Sequence, residues 1–303
     1  MSASSTSHVT SRVLAHHAHV FPGSVNPNGT IERLLSLLDA CDIEGAVCFA
    51  PFASQVEGSG LDPVAWLAEE LKRQPRLHGF GTVDIRRADR ADQVRRIADL
   101  GLRGIKLHPN AQAFDILGAQ ALEIYAAAQD VDLFLTFHSG VHHYRIKHYN
   151  LLGFDEIAYN FPKLRLSLEH VGGYSFFSEA LAVIVNNIPF PPKPGVRPRV
   201  FGGLTSVFTQ HYNRFWYMSP ERMAEAIAQA GAQQFIFGLD FPYNLEDNTK
   251  AGLQALRALG LSASDLALIL GGNLRRELGL GDEPLLAARA VDEGRRTTTA
   301  APD

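Results

Sequence analysis

Short apolar runs alternate with longer stretches whose apolar residues recur every three or four positions. The short runs predict strands, and several are apolar from end to end, as expected of parallel strands covered by helices. Eight strands are predicted: Arg12–Val20, Gly45–Pro51, Leu77–Val83, Gly104–His108, Leu133–His138, Leu164–His170, Phe215–Ser219 and Phe235–Asp240. The longer stretches predict helices at Ile31–Ala40, Asp92–Leu100, Ala119–Ala128, Pro220–Ala230, Thr249–Leu259 and Ser264–Leu278.

Eight such βα units within one chain of 303 residues predict a (β/α)₈ TIM barrel. We place the barrel domain at residues 12–281, a disordered N-terminus at residues 1–11 and a flexible C-terminal tail at residues 282–303. The proline- and glycine-rich residues 188–212 are interpreted as an insertion before the seventh strand. The rival is a doubly wound open sheet, but no G-x-G-x-x-G follows the first strand, so a dinucleotide site has little support.

Composition removes several classes of function. Hydrophobic residues make up 46% of the chain and charged residues 20%, with a net charge of −4, so no basic surface for nucleic acid is indicated. We find no apolar run long enough for a membrane span and no signal peptide. The two cysteines, Cys41 and Cys48, form no disulfide or zinc pattern, which favours a reducing compartment. These exclusions leave a cytoplasmic globular protein, and the expected partner is a small molecule.

Polar residues end five of the predicted strands. In a TIM barrel the chemistry lies at the C-terminal ends of the strands. Residues two apart in a strand share a face, so His17 and His19 are predicted to point into the barrel mouth and His16 outward to the helices. The other four strands end in Lys106 and His108, in His138, in His170 and in Asp240. Each end alone is ordinary, but together they direct imidazoles, a carboxylate and an amine at one mouth. Such a donor set suits Zn²⁺, Fe²⁺, Mn²⁺ or Co²⁺.

The chain resembles the amidohydrolase superfamily, and within it the amidohydrolase-related branch that includes aminocarboxymuconate-semialdehyde decarboxylase. The resemblance rests on HAHVFP, GLRGIKLHP, FHSG, LEHVGG, GLDFPYN and ILGGNLRRELGL. It implies one divalent metal, with Zn²⁺ expected before Mn²⁺ or Fe²⁺, and His170 as a catalytic residue beside Asp240. The implied metal ligands are His17, His19, His138 and Asp240. In a binuclear site, Lys106 would be carboxylated and would bridge two metals, and His138 and His170 would bind the second metal.

Two reactions fit these parts. The first is hydrolysis of a lactone, ester or amide by water that the metal activates, with Asp240 as acid and base. The alternative is non-oxidative decarboxylation of a small aromatic or muconate-like acid. Two further readings are an iron-dependent oxygenase and a metal-binding barrel without catalysis. Substrate contacts are predicted at His108, His142, His143, Arg145 and Trp216, and the aromatic residues around Trp216 either wall a pocket or form a homodimer contact.

Overall fold

Eight parallel strands close into a barrel in a computed structural model that describes residues 12–189 and 197–281. Neighbouring strands pair in chain order, and the eighth pairs with the first. The strands are β1 Leu14–His19, β2 Gly45–Phe49, β3 Leu77–Thr82, β4 Gly104–Leu107, β5 Phe134–His138, β6 Arg165–Glu169, β7 Val200–Leu204 and β8 Phe235–Phe241. The predicted (β/α)₈ barrel is therefore confirmed. The predicted N-terminal and C-terminal tails lie outside the described residues.

Helices cover the outside of the barrel. They are α1 Ile31–Ala40, α2 Pro63–Leu71, α3 Arg90–Asp99, α4 Ala119–Asp130, α5 Gly153–Asn160, α6 Phe177–Asn186, α7 Pro220–Ala230, α8 Glu246–Arg257, α9 Ala263–Ala267 and α10 Asn273–Glu277. Thr30 and Ser219 cap α1 and α7 by accepting hydrogen bonds from the first turn, so both helices begin where the sequence predicts. The single last helix predicted at Ser264–Leu278 is instead α9 and α10, separated by a wider turn at Leu268–Gly272.

The barrel interior is apolar at its N-terminal end. The buried residues there include Leu14, Val47, Phe134 and Leu274 of α10, which packs against them. A larger apolar layer lies between the strands and the helices. The opposite end is therefore the one left open for chemistry. Within the described residues, no helix has both the length and the apolar character needed to cross a bilayer.

The predicted seventh strand at Phe215–Ser219 is wrong. The strand is β7 Val200–Leu204, inside the segment interpreted as an insertion, whereas residues 215–219 form the irregular approach to α7. The glycines of VFGGL resemble a loop but serve close packing. A Cβ atom on Gly202 would lie 2.8 Å from the Phe235 ring, and one on Gly203 would collide with the carboxyl group of Glu169. Glycine inside a strand marks such an approach.

The predicted orientation of His16 is also wrong. The register of β1 shifts between Ala15 and Ala18, and His17 adopts a positive φ of 64°. This bulge breaks the simple alternation of side chains, so His16 and His17 both point into the barrel. His16 is fully buried, with its ring 5.3 Å from that of Phe49 and 5.5 Å from that of Phe80.

Candidate active site

A cavity of about 540 Å³ opens at the C-terminal ends of the strands. Most of the residues predicted for the site line it: His17, His19, His108, His138, His142, His143, His170, Trp216 and Asp240. Two do not. Lys106 is fully buried, with its Nζ atom 3.3 Å from the Nε2 atom of His17. Arg145 is exposed on the loop after β5 and is absent from the cavity lining.

Three side chains bring metal-binding atoms together. The Nε2 atoms of His17 and His19 are 3.1 Å apart. Oδ1 of Asp240 lies 3.4 Å from the first of these nitrogens and 3.9 Å from the second. These donor atoms all lie within 4.8 Å of one another. Two imidazole nitrogens and a carboxylate oxygen are donors that Zn²⁺, Mn²⁺ and Fe²⁺ all accept, so His17, His19 and Asp240 fit a divalent metal ion.

His138 lies beside this cluster without joining it. Its Nε2 atom is 2.7 Å from the carbonyl oxygen of Gly140, and its ring stacks on His108 at 3.9 Å between centroids. The ring of His170 is 4.7 Å away. The role of His138 as a metal ligand therefore stays a prediction, as does the binuclear arrangement with Lys106 and His170.

Hydrogen bonds fix the orientation of two of the site histidines. Nδ1 of His17 lies 2.7 Å from Oε2 of Glu169, and Nδ1 of His170 lies 2.7 Å from the carbonyl oxygen of Thr205. A carbonyl oxygen only accepts, so His170 carries its proton on Nδ1 and presents a lone pair on Nε2. Trp216 stacks on this ring at 4.1 Å and is itself held by a 2.6 Å hydrogen bond from its Nε1 to the carbonyl oxygen of Val141.

Left-handed backbone marks the strand ends of the site. His17, His170, Ser206 and Asp240 have φ values between 56° and 64°, which non-glycine residues adopt rarely. Each such residue costs of order 1–3 kcal/mol, and such strain concentrates where geometry serves function. These four positions lie within two residues of the C-terminal ends of β1, β6, β7 and β8. Backbone strain therefore accompanies the orientation of these four polar side chains toward one cavity.

Burial makes the cavity a collection of neutral bases. Desolvation, aided by the nearby positive charge of Lys106, lowers the pKa values of His17, His19, His108 and His138 well below the usual range. Burial also lowers the pKa of His170, against the opposing effect of Asp240. Neutral imidazole is the form that binds metal. Burial lowers the pKa of Lys106 to about 8, although Glu169 and Asp240 act in the opposite direction.

Sequence reasoning missed two polar residues of this site. Ser206 donates a 2.6 Å hydrogen bond to Oδ2 of Asp240, and Glu169 contacts His17 from within the barrel. Ser206 follows β7, so the misplaced strand removed it from the predicted strand ends. Glu169 stands next to His170 in LEHVGG, but strand alternation directs it to the opposite face, and nothing in the sequence showed what it would meet there.

Comparison with known proteins decides the family. The model of the family described as Amidohydrolase matches residues 26–280. The chain belongs to the amidohydrolase family. This is a family of metal-dependent enzymes, in agreement with the cluster of His17, His19 and Asp240. No curated protein matches the sequence.

Solved structures share the fold of this amidohydrolase at low identity. The 5-carboxyvanillate decarboxylase of Sphingomonas paucimobilis has a TM-score of 0.67 and 16% identity over 90% of this chain and 100% of its own. A dihydroxybenzoic acid decarboxylase of Polaromonas, solved with manganese and 2-nitroresorcinol, has a TM-score of 0.65 and 15% identity over 91% of this chain and 99% of its own. A candidate 2-pyrone-4,6-dicarboxylic acid hydrolase of Pseudomonas putida has a TM-score of 0.61 and 18% identity over 90% of this chain and 99% of its own. Decarboxylases and a hydrolase thus share one fold.

Proposed function

We propose that the protein is a metal-dependent hydrolase that cleaves a C–O or C–N bond of a small lactone, ester or amide. The observation that carries this proposal is the 2.7 Å contact between Nδ1 of His170 and the carbonyl oxygen of Thr205. Because that oxygen only accepts, Nε2 of His170 is left as a hydrogen-bond acceptor that can orient an attacking water. Hydrolysis begins with removal of a proton from water, whereas decarboxylation ends with an acid giving a proton to carbon.

The metal ligands in this proposal are His17, His19 and Asp240, with His138 as the fourth. Because Nε2 of His138 lies 2.7 Å from the carbonyl oxygen of Gly140, His138 would bind through Nδ1 or after that hydrogen bond is released. When bound there, a divalent ion supplies Lewis acidity, which polarises a substrate carbonyl and lowers the pKa of water. The neutral state of the buried histidines favours binding, because no proton has to be displaced first. Zn²⁺ is the ion proposed first, with Mn²⁺ and Fe²⁺ as alternatives.

Two side chains manage the protons. Nε2 of His170 accepts a hydrogen bond from the attacking water and directs it to the carbonyl carbon. The carboxylate of Asp240 takes the proton of that water and returns it to the leaving oxygen or nitrogen. Ser206 holds Oδ2 of this carboxylate at 2.6 Å, so the group stays oriented during both transfers.

The volume and the aromatic lining of the cavity favour a small and largely flat substrate. Its volume is about 540 Å³, within the usual range for small-molecule sites. Trp216, Tyr144 and Tyr243 line it with aromatic rings, and Arg214 is the lone arginine of the lining. We propose His108, His142, His143 and Trp216 as substrate contacts. Arg145, which the sequence also predicts as a contact, faces solvent outside the cavity lining.

Non-oxidative decarboxylation is the second candidate, because two of the solved structures with this fold are named decarboxylases. A panel of lactones, esters, aryl amides and hydroxybenzoates, assayed in parallel in ¹⁸O-water and in deuterated water, separates the two. Hydrolysis is supported by one heavy oxygen in the product and by loss of turnover in Asp240→Asn. Release of CO₂ without oxygen incorporation, with one solvent deuterium on carbon, would establish the second candidate instead.

A further inference from the structure

We infer that Glu169 is the positioning residue of the metal site. Its carboxylate sets the tautomer and ring orientation of His17 from inside the barrel, so that Nε2 of His17 faces the cavity. Glu169 itself is fully buried and does not line the cavity. The inference rests on the metal site of the proposed function but not on which reaction follows.

Four donors saturate this carboxylate, two on each oxygen. Oε2 accepts from Nδ1 of His17 at 2.7 Å and from the hydroxyl of Thr205 at 2.8 Å. Oε1 accepts from the hydroxyl of Ser167 at 2.7 Å and from Nδ1 of His16 at 3.1 Å. All four donors are buried, so water does not substitute for any of these contacts. Such a carboxylate has one orientation available to it.

The carboxylate dictates which nitrogen of His17 carries the proton. A carboxylate only accepts hydrogen bonds, so Nδ1 of His17 is the protonated nitrogen and Nε2 bears the lone pair. That lone pair faces Nε2 of His19 and Oδ1 of Asp240, and Nζ of Lys106 lies 3.3 Å from the same nitrogen. A carboxylate that orients a metal-binding imidazole in this way also makes the imidazole a stronger donor.

His16 takes the other side of the carboxylate and is no ligand. Its Nδ1 contacts Glu169, and its Nε2 lies 3.2 Å from the hydroxyl of Thr136. Both ring nitrogens of this buried residue are therefore occupied. The bulge in β1 places His16 and His17 side by side on the two oxygens of Glu169.

The neighbouring strands leave room for the carboxylate. A Cβ atom on Gly203 of β7 would collide with the carboxyl group of Glu169. One on Gly238 of β8 would collide with the hydroxyl of Thr205 and lie 3.2 Å from Cβ of His17. Both strands carry glycine at the positions where this cluster approaches the backbone, which supports a built feature rather than an incidental contact.

The test measures binding of Co²⁺ to the metal-free protein by its visible absorption. Glu169→Met removes the acceptor at similar size, and we expect its Kd to rise by about 10- to 100-fold with a changed spectrum. Glu169→Gln keeps one acceptor oxygen for His17 and should bind more tightly than Glu169→Met. Cys48→Ala changes a buried residue of β2 in the apolar layer between strands and helices, outside this cluster, and its Kd and spectrum should match the wild type. Wild-type affinity in folded Glu169→Met would overturn the inference.

A second measurement needs no metal. Long-range ¹H–¹⁵N NMR of the metal-free wild-type protein reports the tautomer of each histidine, and His17→Gln assigns the signal of His17. We expect a proton on Nδ1 and none on Nε2. A proton on Nε2 would contradict the role of Glu169. Failure of the wild type to bind Co²⁺ would instead contradict the metal site, so the two failures are distinguishable.

Discussion

The hydroxyl of Ser206 donates a 2.6 Å hydrogen bond to Oδ2 of Asp240, while Oδ1 of the same carboxylate lies 3.4 Å from Nε2 of His17. Ser206 is itself held by Nδ2 of Asn244 at 2.8 Å. The two carboxylate oxygens therefore have separate partners, one on each side. This division keeps Oδ1 available to a metal ion.

Removing this hydrogen bond should loosen Asp240. In Ser206→Ala, we expect turnover and metal affinity to fall by about 10- to 100-fold, because the carboxylate loses its fixed orientation. Steady-state kinetics and metal titration measure both effects. Thr209→Val is the matched control, since Thr209 contacts Asn213 and Asn248 but not Asp240. Wild-type values in Ser206→Ala would contradict the positioning.

His17 and His19 should be required for metal binding. Replacing both with alanine removes two of the three converging donor atoms, so we expect the dialysed protein to retain no stoichiometric metal while keeping its circular dichroism spectrum. Elemental analysis by mass spectrometry measures this content. His148→Ala serves as a control outside the cavity lining. Full metal occupancy in the folded double variant would reject both ligands.

His170 should act on the reaction and not on the metal. In His170→Asn, the side-chain amide can still donate to Thr205, but the Nε2 acceptor is lost. We expect kcat to fall by about 10²- to 10⁴-fold with the metal content unchanged. Loss of metal together with activity would show that His170 is a ligand, as in a binuclear site.

His78 should make stability depend on pH away from the active site. Burial, together with Arg103 and Arg275, lowers its pKa to about 4, and its Nε2 atom has no hydrogen-bond partner among the residues that the structure describes. The unfolded chain therefore binds the proton first, and stability falls as pH drops from about 6.5 to 4. The loss at pH 4 is about 3 kcal/mol.

Urea unfolding of the wild type and His78→Gln at pH 7 and pH 4 isolates this contribution. The free energy of unfolding should drop further for the wild type than for the variant as the solution is acidified. The same drop in both proteins would assign the acid sensitivity to other groups.

The fold was predictable because its pattern is repeated. Helices α1 and α7 begin at residues with clear caps, and seven of the eight strands fall on the predicted apolar runs. The prediction was wrong only for β7, because the glycines that pack closely against Glu169 and Phe235 form a sequence that is typical of a loop. Whether these glycines form a strand or a loop depends on the residues they pack against, which are distant in sequence.

The site was predictable as a set of strand ends but not in its supporting contacts. Alternation correctly grouped His17 with His19, yet it failed for His16, since a bulge at a histidine with positive φ leaves no local signal. Glu169 and Ser206 act through hydrogen bonds to His17 and Asp240 that only the closed barrel creates. The homodimer and the cytoplasmic location remain predictions.

An anomalous difference map from a crystal grown with Zn²⁺ or Mn²⁺ tests the metal site most directly. Our account predicts a single peak within bonding distance of Nε2 of His17, Nε2 of His19 and Oδ1 of Asp240, with His138 as the fourth ligand. Lys106 should remain an unmodified amine. Two peaks about 3.5–4 Å apart with added density on Lys106 would contradict the one-metal account, and a map without a peak between His17, His19 and Asp240 would contradict the site itself.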